Sequence, residues 1–338
     1  MPPKFLYDHN VEYGHVDEVS PLLRRVTARN PSHFTFKGSG TYVVGRGEVA
    51  VVDPGPDDKA HIDALAAALA GETITHILVT HTHSDHSPGC RLLKEFTDAP
   101  VYAFDPSVVT PPPEHWFDGF WEDFPEDEDS DNSTLDGSAD AESARDQHAD
   151  DEHEVPRETI EDDFVPDVVL NHGDLISGNG FTFEALHTPG HISNHLSFAL
   201  SEEHGVFTGD HIMGWSTTVI PAPDGSLTEY MDSLQLLIDR PQDQVYWPTH
   251  GPPITAPQEF AMALRNHRNM RTEQVLACLG DGKHRVRDMV ETMYADKPKK
   301  LFKPAALSVL SHLIHLVDTG QVVNDDSEAK PTGNWSLA

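Results

Sequence analysis

The sequence predicts a mixed α/β protein, a sheet covered by helices, followed by a small helical domain of winged-helix type. Three observations carry this. Short apolar, strand-like runs alternate with helical patterns up to about residue 256. Histidines and aspartates recur directly after those runs, where a rigid scaffold presents functional loops. From Pro257 onward the texture turns helical, with three helices and one short β element.

Thr41-Tyr-Val-Val44 and Glu48-Val-Ala-Val-Val52 read as paired strands joined by a Gly45-Arg-Gly47 turn and ending at Asp53-Pro-Gly-Pro56. Residues 59–70 carry an alanine-rich helical pattern, and residues 74–80 form a strand running into His81. A helix continues over residues 92–96, and Val101-Tyr-Ala-Phe104 is a further strand. Strand patterns return at residues 167–170, 181–186, 195–200, 205–208 and 245–247. The helical region predicts an amphipathic helix over 260–279 ending at Gly280, a second over 284–294 and a third over 303–317. The domains expected are therefore 1–256 and 257–338.

Between about residues 122 and 166 the pattern dissolves. From Glu122 to Asp167 there are 20 Asp/Glu against two Arg, a large share of the formal charge of −33. Such a stretch buries too little surface to offset its ordering entropy, so a disordered acidic insertion is expected. The rest of the chain is acidic too, which argues against non-specific binding to nucleic acid or an anionic membrane. Cys90 and Cys278 lie far apart and suggest two small buried side chains rather than a disulfide framework. Residues 1–10 hold no apolar signal core and no 18-residue apolar run occurs, so no membrane association and a cytoplasmic location are expected.

His81-Thr-His83-Ser-Asp85-His86 places four metal-ligand types in six residues, behind Ile77-Leu-Val-Thr80. At a strand end, residues i and i+2 share one side, so His81 and His83 can converge on one cation. Asp85 and His86 follow at the turn and can face a second. Imidazole with carboxylate suits zinc and its first-row neighbours. A merely polar turn is the plain alternative, but this cluster is mixed, internal and attached to a strand.

Five pieces occur in order: Val51-Val-Asp53-Pro-Gly55, Thr80-His-Thr-His-Ser-Asp-His86, Thr188-Pro-Gly-His191, Thr208-Gly-Asp210 and Thr249-His250-Gly251. With them the chain resembles the metallo-β-lactamase-fold hydrolases, in the branch with a C-terminal winged-helix domain. The resemblance implies a four-layer αββα sandwich. It implies that His81, His83 and His191 hold a first zinc, that Asp85, His86 and His250 hold a second, and that Asp210 bridges them. Asp53 would orient a ligand without binding metal, and His195 would lie near substrate or behind a ligand. His187 and His211 are expected to be structural.

Two zinc ions, with manganese or iron as alternatives, would supply a bridging hydroxide at neutral pH for attack on an ester, thioester or similar carbonyl. Asp85 would accept a proton while remaining a ligand. The substrate expected is a small molecule or an acyl carrier. Single-stranded RNA is the alternative, because residues 257–338 hold 11 of the 23 Lys/Arg against 10 Asp/Glu, with Lys297, Lys299, Lys300 and Lys303 clustered. The plainer role for that domain is packing on the core, shaping the site mouth or forming a dimer. A mononuclear iron dioxygenase on the same fold and a non-catalytic DNA-binding protein rank below these.

Overall fold

The structure, a computed structural model, describes residues 2–124, 159–161, 163–326 and 329–338, with the side chain of Lys300 excepted. Two sheets face each other. The first has seven strands in the order β1 (Val16–Glu18), β2 (Leu23–Thr27), β3 (Gly40–Arg46), β4 (Glu48–Val52), β5 (Thr73–Leu78), β6 (Val101–Ala103) and β7 (Val168–Val169). Pairing is antiparallel from β1 to β4 and parallel from β4 to β7. The second sheet runs β12 (Val245–Pro248), β11 (Gly205–Gly209), β10 (Leu196–Leu200), β9 (Phe181–His187) and β8 (Leu175–Gly178).

The period-two rule shows why the central strands β3 and β4 read as nearly unbroken apolar runs. Tyr42, Val44, Ala50, Val52 and Leu78 face the second sheet and meet Phe181, Phe183, Phe198, Phe207 and Trp247. Their neighbours Val43, Val49, Val51, Ile77 and Val79 face the other way, onto Ile62 and Leu65 of α1 (Lys59–Ala68) and Leu93 of α2 (Gly89–Leu93). Behind the second sheet, Leu186, Val206 and Tyr246 pack on Leu227, Leu234 and Leu237 of α3 (Leu227–Ile238) and on Phe260 and Leu264 of α4 (Pro257–Gly280). These are the four αββα layers.

A second and smaller body holds α5 (Val286–Met293), α6 (Phe302–Asp318) and the β13 (Val322–Asn324)–β14 (Trp335–Leu337) pair. Its core joins Val275 and Leu279 of α4 to Met289, Val309, Leu313 and the fully buried Trp335. The division expected at residue 257 therefore falls on the first residue of a helix that both bodies share. Among the described residues no helix is long and apolar enough to cross a membrane. Cys90 and Cys278 are free and buried.

Most of the expected acidic insertion, residues 125–158 and 162, lies outside the described residues. Its edges need correction, because both are packed. Phe124, at the end of a short 3-10 turn, joins Trp116 and Phe120 in the C-terminal core. Ile160 forms a β-bridge with His83, flanked by Ser84 N–H donating to Thr159 O and Glu161 N–H to Thr82 O. Charge density concealed three residues that pair with the histidine loop.

His61, in the first turn of α1, is buried with Nε2 2.8 Å from Thr41 Oγ1, and burial pulls its pKa down to about 4. The folded chain resists a proton that the unfolded chain accepts near pH 6.5. The contribution is thus complete above that pH and is lost as pH falls towards 4, by about 3 kcal/mol in total. The gap in melting temperature between the wild type and His61→Gln should shrink across that window; parallel curves would refute it.

Candidate metal centre

All seven expected ligands come together at one end of the sandwich, on loops that follow β5, β9, β11 and β12. The loop after β5 supplies His81, His83, Asp85 and His86. Its spacing delivers the first pair at the strand end, and the turn that begins at His83 delivers the second. His191 follows β9 behind Gly190, whose φ of 132° suits glycine and whose added Cβ would lie 2.4 Å from Tyr230 Cα. Asp210 follows Gly209 of β11, where a Cβ would strike His195 Nε2 at 2.6 Å. Both glycines are needed for close approach.

The donor atoms form three groups that could hold a metal ion: His81 with His83 and His191, Asp85 with His86 and His250, and His81 with His86 and Asp210. In the first, His83 Nδ1 lies 2.9 Å from His81 Nε2 and 3.0 Å from His191 Nε2. In the second, His250 Nε2 lies 3.1 Å from Asp85 Oδ2. Asp210 stands between them, Oδ2 4.0 Å from His191 Nε2, and Oδ1 3.3 Å from His250 Nε2 and 3.5 Å from His86 Nε2. His86 Nε2, His250 Nε2 and Asp210 Oδ1 are all buried, and none makes an aligned hydrogen bond. Buried donor atoms that crowd together without bonding one another suit a shared cation.

Four of the five imidazoles are anchored at Nδ1, leaving Nε2 to the centre. His86 Nδ1 donates to Asp53 Oδ2 at 2.9 Å, His191 Nδ1 to Val219 O at 2.6 Å and His250 Nδ1 to Gly38 O at 3.3 Å. His81 Nδ1 lies 3.0 Å from Thr80 Oγ1, which itself donates to Asp53 Oδ2. Such partners choose the tautomer and aim the ring. Asp53, 1% exposed, also accepts from Thr80 N–H and Thr249 Oγ1.

Charge explains the protonation preferences. Burial would lower the pKa of His86 and His250, but the facing carboxylates override it, lifting His86 well above its ordinary value and His250 to about 10. Burial would raise Asp85 and Asp210, and the same histidines hold both low. His81 and His83 meet burial and neighbouring imidazoles, so both fall, His83 to about 3. His81 and His83 are thus ready as neutral nitrogen, and the pair His86 and His250 favours positive charge. A divalent cation entering there displaces protons.

Of the two places expected for His195, near substrate or behind a ligand, its contacts fit the second. It is fully buried, its Nε2 accepts from Asp210 N–H at 3.2 Å, and its Nδ1 lies 3.0 Å from Thr188 Oγ1. Both ring nitrogens thus have partners, one of them the Asp210 backbone. His187 stacks on Phe104, and His211 is buried against Tyr230. Lys297 and Lys303 are half-buried and Lys299 is exposed, all around the turn that opens α6. The orienting partners Thr80, Thr249, Gly38 and Val219 escaped the sequence reading. Threonine before histidine in both motifs was the available signal for two of them; a backbone carbonyl offers none.

Residues 35–250 match the family model for the metallo-beta-lactamase superfamily, and residues 286–335 match that for the beta-lactamase associated winged helix domain. The chain belongs to the metallo-β-lactamase superfamily. It is thereby an enzyme of the metal-dependent hydrolase class, with an α/β catalytic domain followed by a winged helix. Among this superfamily's curated proteins, an atrochrysone carboxyl ACP thioesterase from Pseudocercospora fijiensis is 29% identical over 82% of this chain and 69% of its own. The beta-lactamase-like protein 2 homolog of Caenorhabditis elegans is 27% identical over 93% of this chain and 90% of its own. A metallo-beta-lactamase family protein from Thermus thermophilus shares the fold, with a TM-score of 0.68 at 22% identity over 95% of this chain and 100% of its own.

Proposed function

We propose that this metallo-β-lactamase-superfamily enzyme hydrolyses an acyl thioester, of the kind borne by an acyl carrier, with two zinc ions. His81, His83 and His191 would hold one ion, Asp85, His86 and His250 the other, and Asp210 both. The observation that carries this is Asp210, whose two oxygens face the two donor groups separately. The thioester is supported by the thioesterase name of the Pseudocercospora relative. A bound zinc pair would polarise the carbonyl and bring the pKa of a shared water towards 7.

The residues do the rest. Asp85 is the most exposed of the seven, at 15% of its side chain, and Ser39 Oγ donates to its Oδ2 at 2.9 Å. That carboxylate takes the proton released as water adds to the carbonyl carbon. It returns the proton to the sulfur as the carbon–sulfur bond breaks. Asp53 holds His86, and His195 holds the Asp210 backbone, so neither swings during the cycle.

Zinc-loaded protein should release free thiol from an acyl-CoA, lose this activity to a chelator and regain it with zinc, at two zinc per chain. Cleavage of single-stranded RNA without thiol release would reassign the same centre to a nuclease. One iron per chain, with oxygen consumed, would reassign it to a dioxygenase.

A further inference from the structure

Three consecutive carbonyls connect the C-terminal helices to the metal centre. Residues 217–220 form a strap that belongs to no helix or strand. Its middle carbonyl, Val219 O, receives His191 Nδ1–H at 2.6 Å, with Thr218 Oγ1 also 3.2 Å from that nitrogen. The carbonyl before it, Thr218 O, receives Arg268 Nη2–H of α4 at 2.6 Å. The carbonyl after it, Ile220 O, receives Ser311 Oγ–H of α6 at 2.6 Å, closer than that hydroxyl's alternative acceptor, Leu307 O, at 2.9 Å.

We propose that Arg268 and Ser311 are positioning residues, through which the C-terminal helices set the tautomer and aim of His191. A peptide carbonyl cannot turn freely when both neighbouring carbonyls are tethered. Fixing Thr218 O and Ile220 O therefore fixes the acceptor that keeps a proton on His191 Nδ1 and leaves Nε2 towards His83. Outer partners of this kind govern ligand basicity and orientation.

The cost of Arg268 argues against simple adhesion between the two bodies. The residue is 6% exposed, and among the described residues it has no carboxylate partner. Burying such a charge is unfavourable, and an apolar side chain would glue α4 to the core more cheaply. Arg268 also lies 5.3 Å over the Tyr230 ring, and the Tyr230 backbone is what Gly190 packs against, one residue before His191. Two routes from one buried charge converge on the same ligand.

This inference rests on the reading that His191 binds metal, and cobalt(II) titration of the full chain separates the two. The visible spectrum and the affinities are read for the wild type, Arg268→Met, Ser311→Ala, His191→Ala and Thr228→Val. The last removes a contact between α3 and α6, Thr228 Oγ1 to His315 Nδ1 and Asp318 Oδ2, away from the strap. Arg268→Met and Ser311→Ala should each weaken one of two cobalt sites by about 10-fold, altering the spectrum in the direction of His191→Ala. Thr228→Val should leave both sites unchanged, and Ser311→Ala, which removes a single hydroxyl, covers the case in which Arg268→Met fails to fold. Two wild-type cobalt sites with Arg268→Met and Ser311→Ala unaltered, or with Thr228→Val equally weakened, overturn the clamp alone. A wild type that takes up no cobalt overturns the metal reading together with it.

Discussion

Asp210→Ala is expected to lower thioester hydrolysis by about a thousandfold or more, which is several kcal/mol of lost charge stabilisation at the reacting centre. The side chain is the one that faces both donor groups, and it is 2% exposed. Its loss should also reduce metal content below two ions per chain, since His86 and His250 lose a carboxylate that holds positive charge beside them. The fold should survive, because Asp210 lies outside the apolar layers and its backbone bond to His195 does not need the side chain. Turnover, metal stoichiometry and circular dichroism of the purified variant check all three. Near-normal turnover would sink the two-metal reading.

The second large effect is expected at Asp53, a residue that touches no substrate. Asp53→Asn keeps the shape and tolerates the backbone φ of 49°, where alanine would add strain. It nevertheless sets an amide donor against His86 Nδ1–H and two threonine hydroxyls, all of which give hydrogen bonds to Oδ2. His86 then gains by moving its proton to Nε2, the nitrogen turned to the metal. Metal affinity at the position shared with Asp85 and His250 should fall between about 10- and 100-fold. Stability should drop by about 3 kcal/mol, as for a buried pair that loses one partner. Isothermal titration and thermal melting of the apo-protein separate the two losses. A variant with wild-type affinity would show that Asp53 only shapes the turn before Pro54.

Much of this was legible in the chain because the informative signals are local. Strands buried on both faces give continuous apolar runs, and metal ligands cluster where those runs end. Elements without such a signal were missed. β2 carries Arg24 and Arg25, buried in the fold but polar in sequence, and no strand reads from Leu23-Arg-Arg-Val26. α3 went unread although Ser226 and Glu229 form its cap, with Ser226 Oγ accepting from Glu229 N–H at 3.2 Å. The acidic segment was drawn too wide, because composition alone cannot reveal that Ile160 pairs with His83.

By itself the sequence determined the α/β class and the order of the strands that carry the loops, since residue type and period-two spacing act over a few neighbours; the set of seven histidine and aspartate side chains was implied by the resemblance to a family. Only the tertiary structure decided which of its two expected places His195 takes, beneath Asp210, and that α4 and α6 reach the strap behind His191. Those facts depend on carbonyls and on packing between distant segments, such as Ile220 and Ser311, 91 residues apart. Backbone groups are the same in every residue, so what they bond is settled only when the layers close.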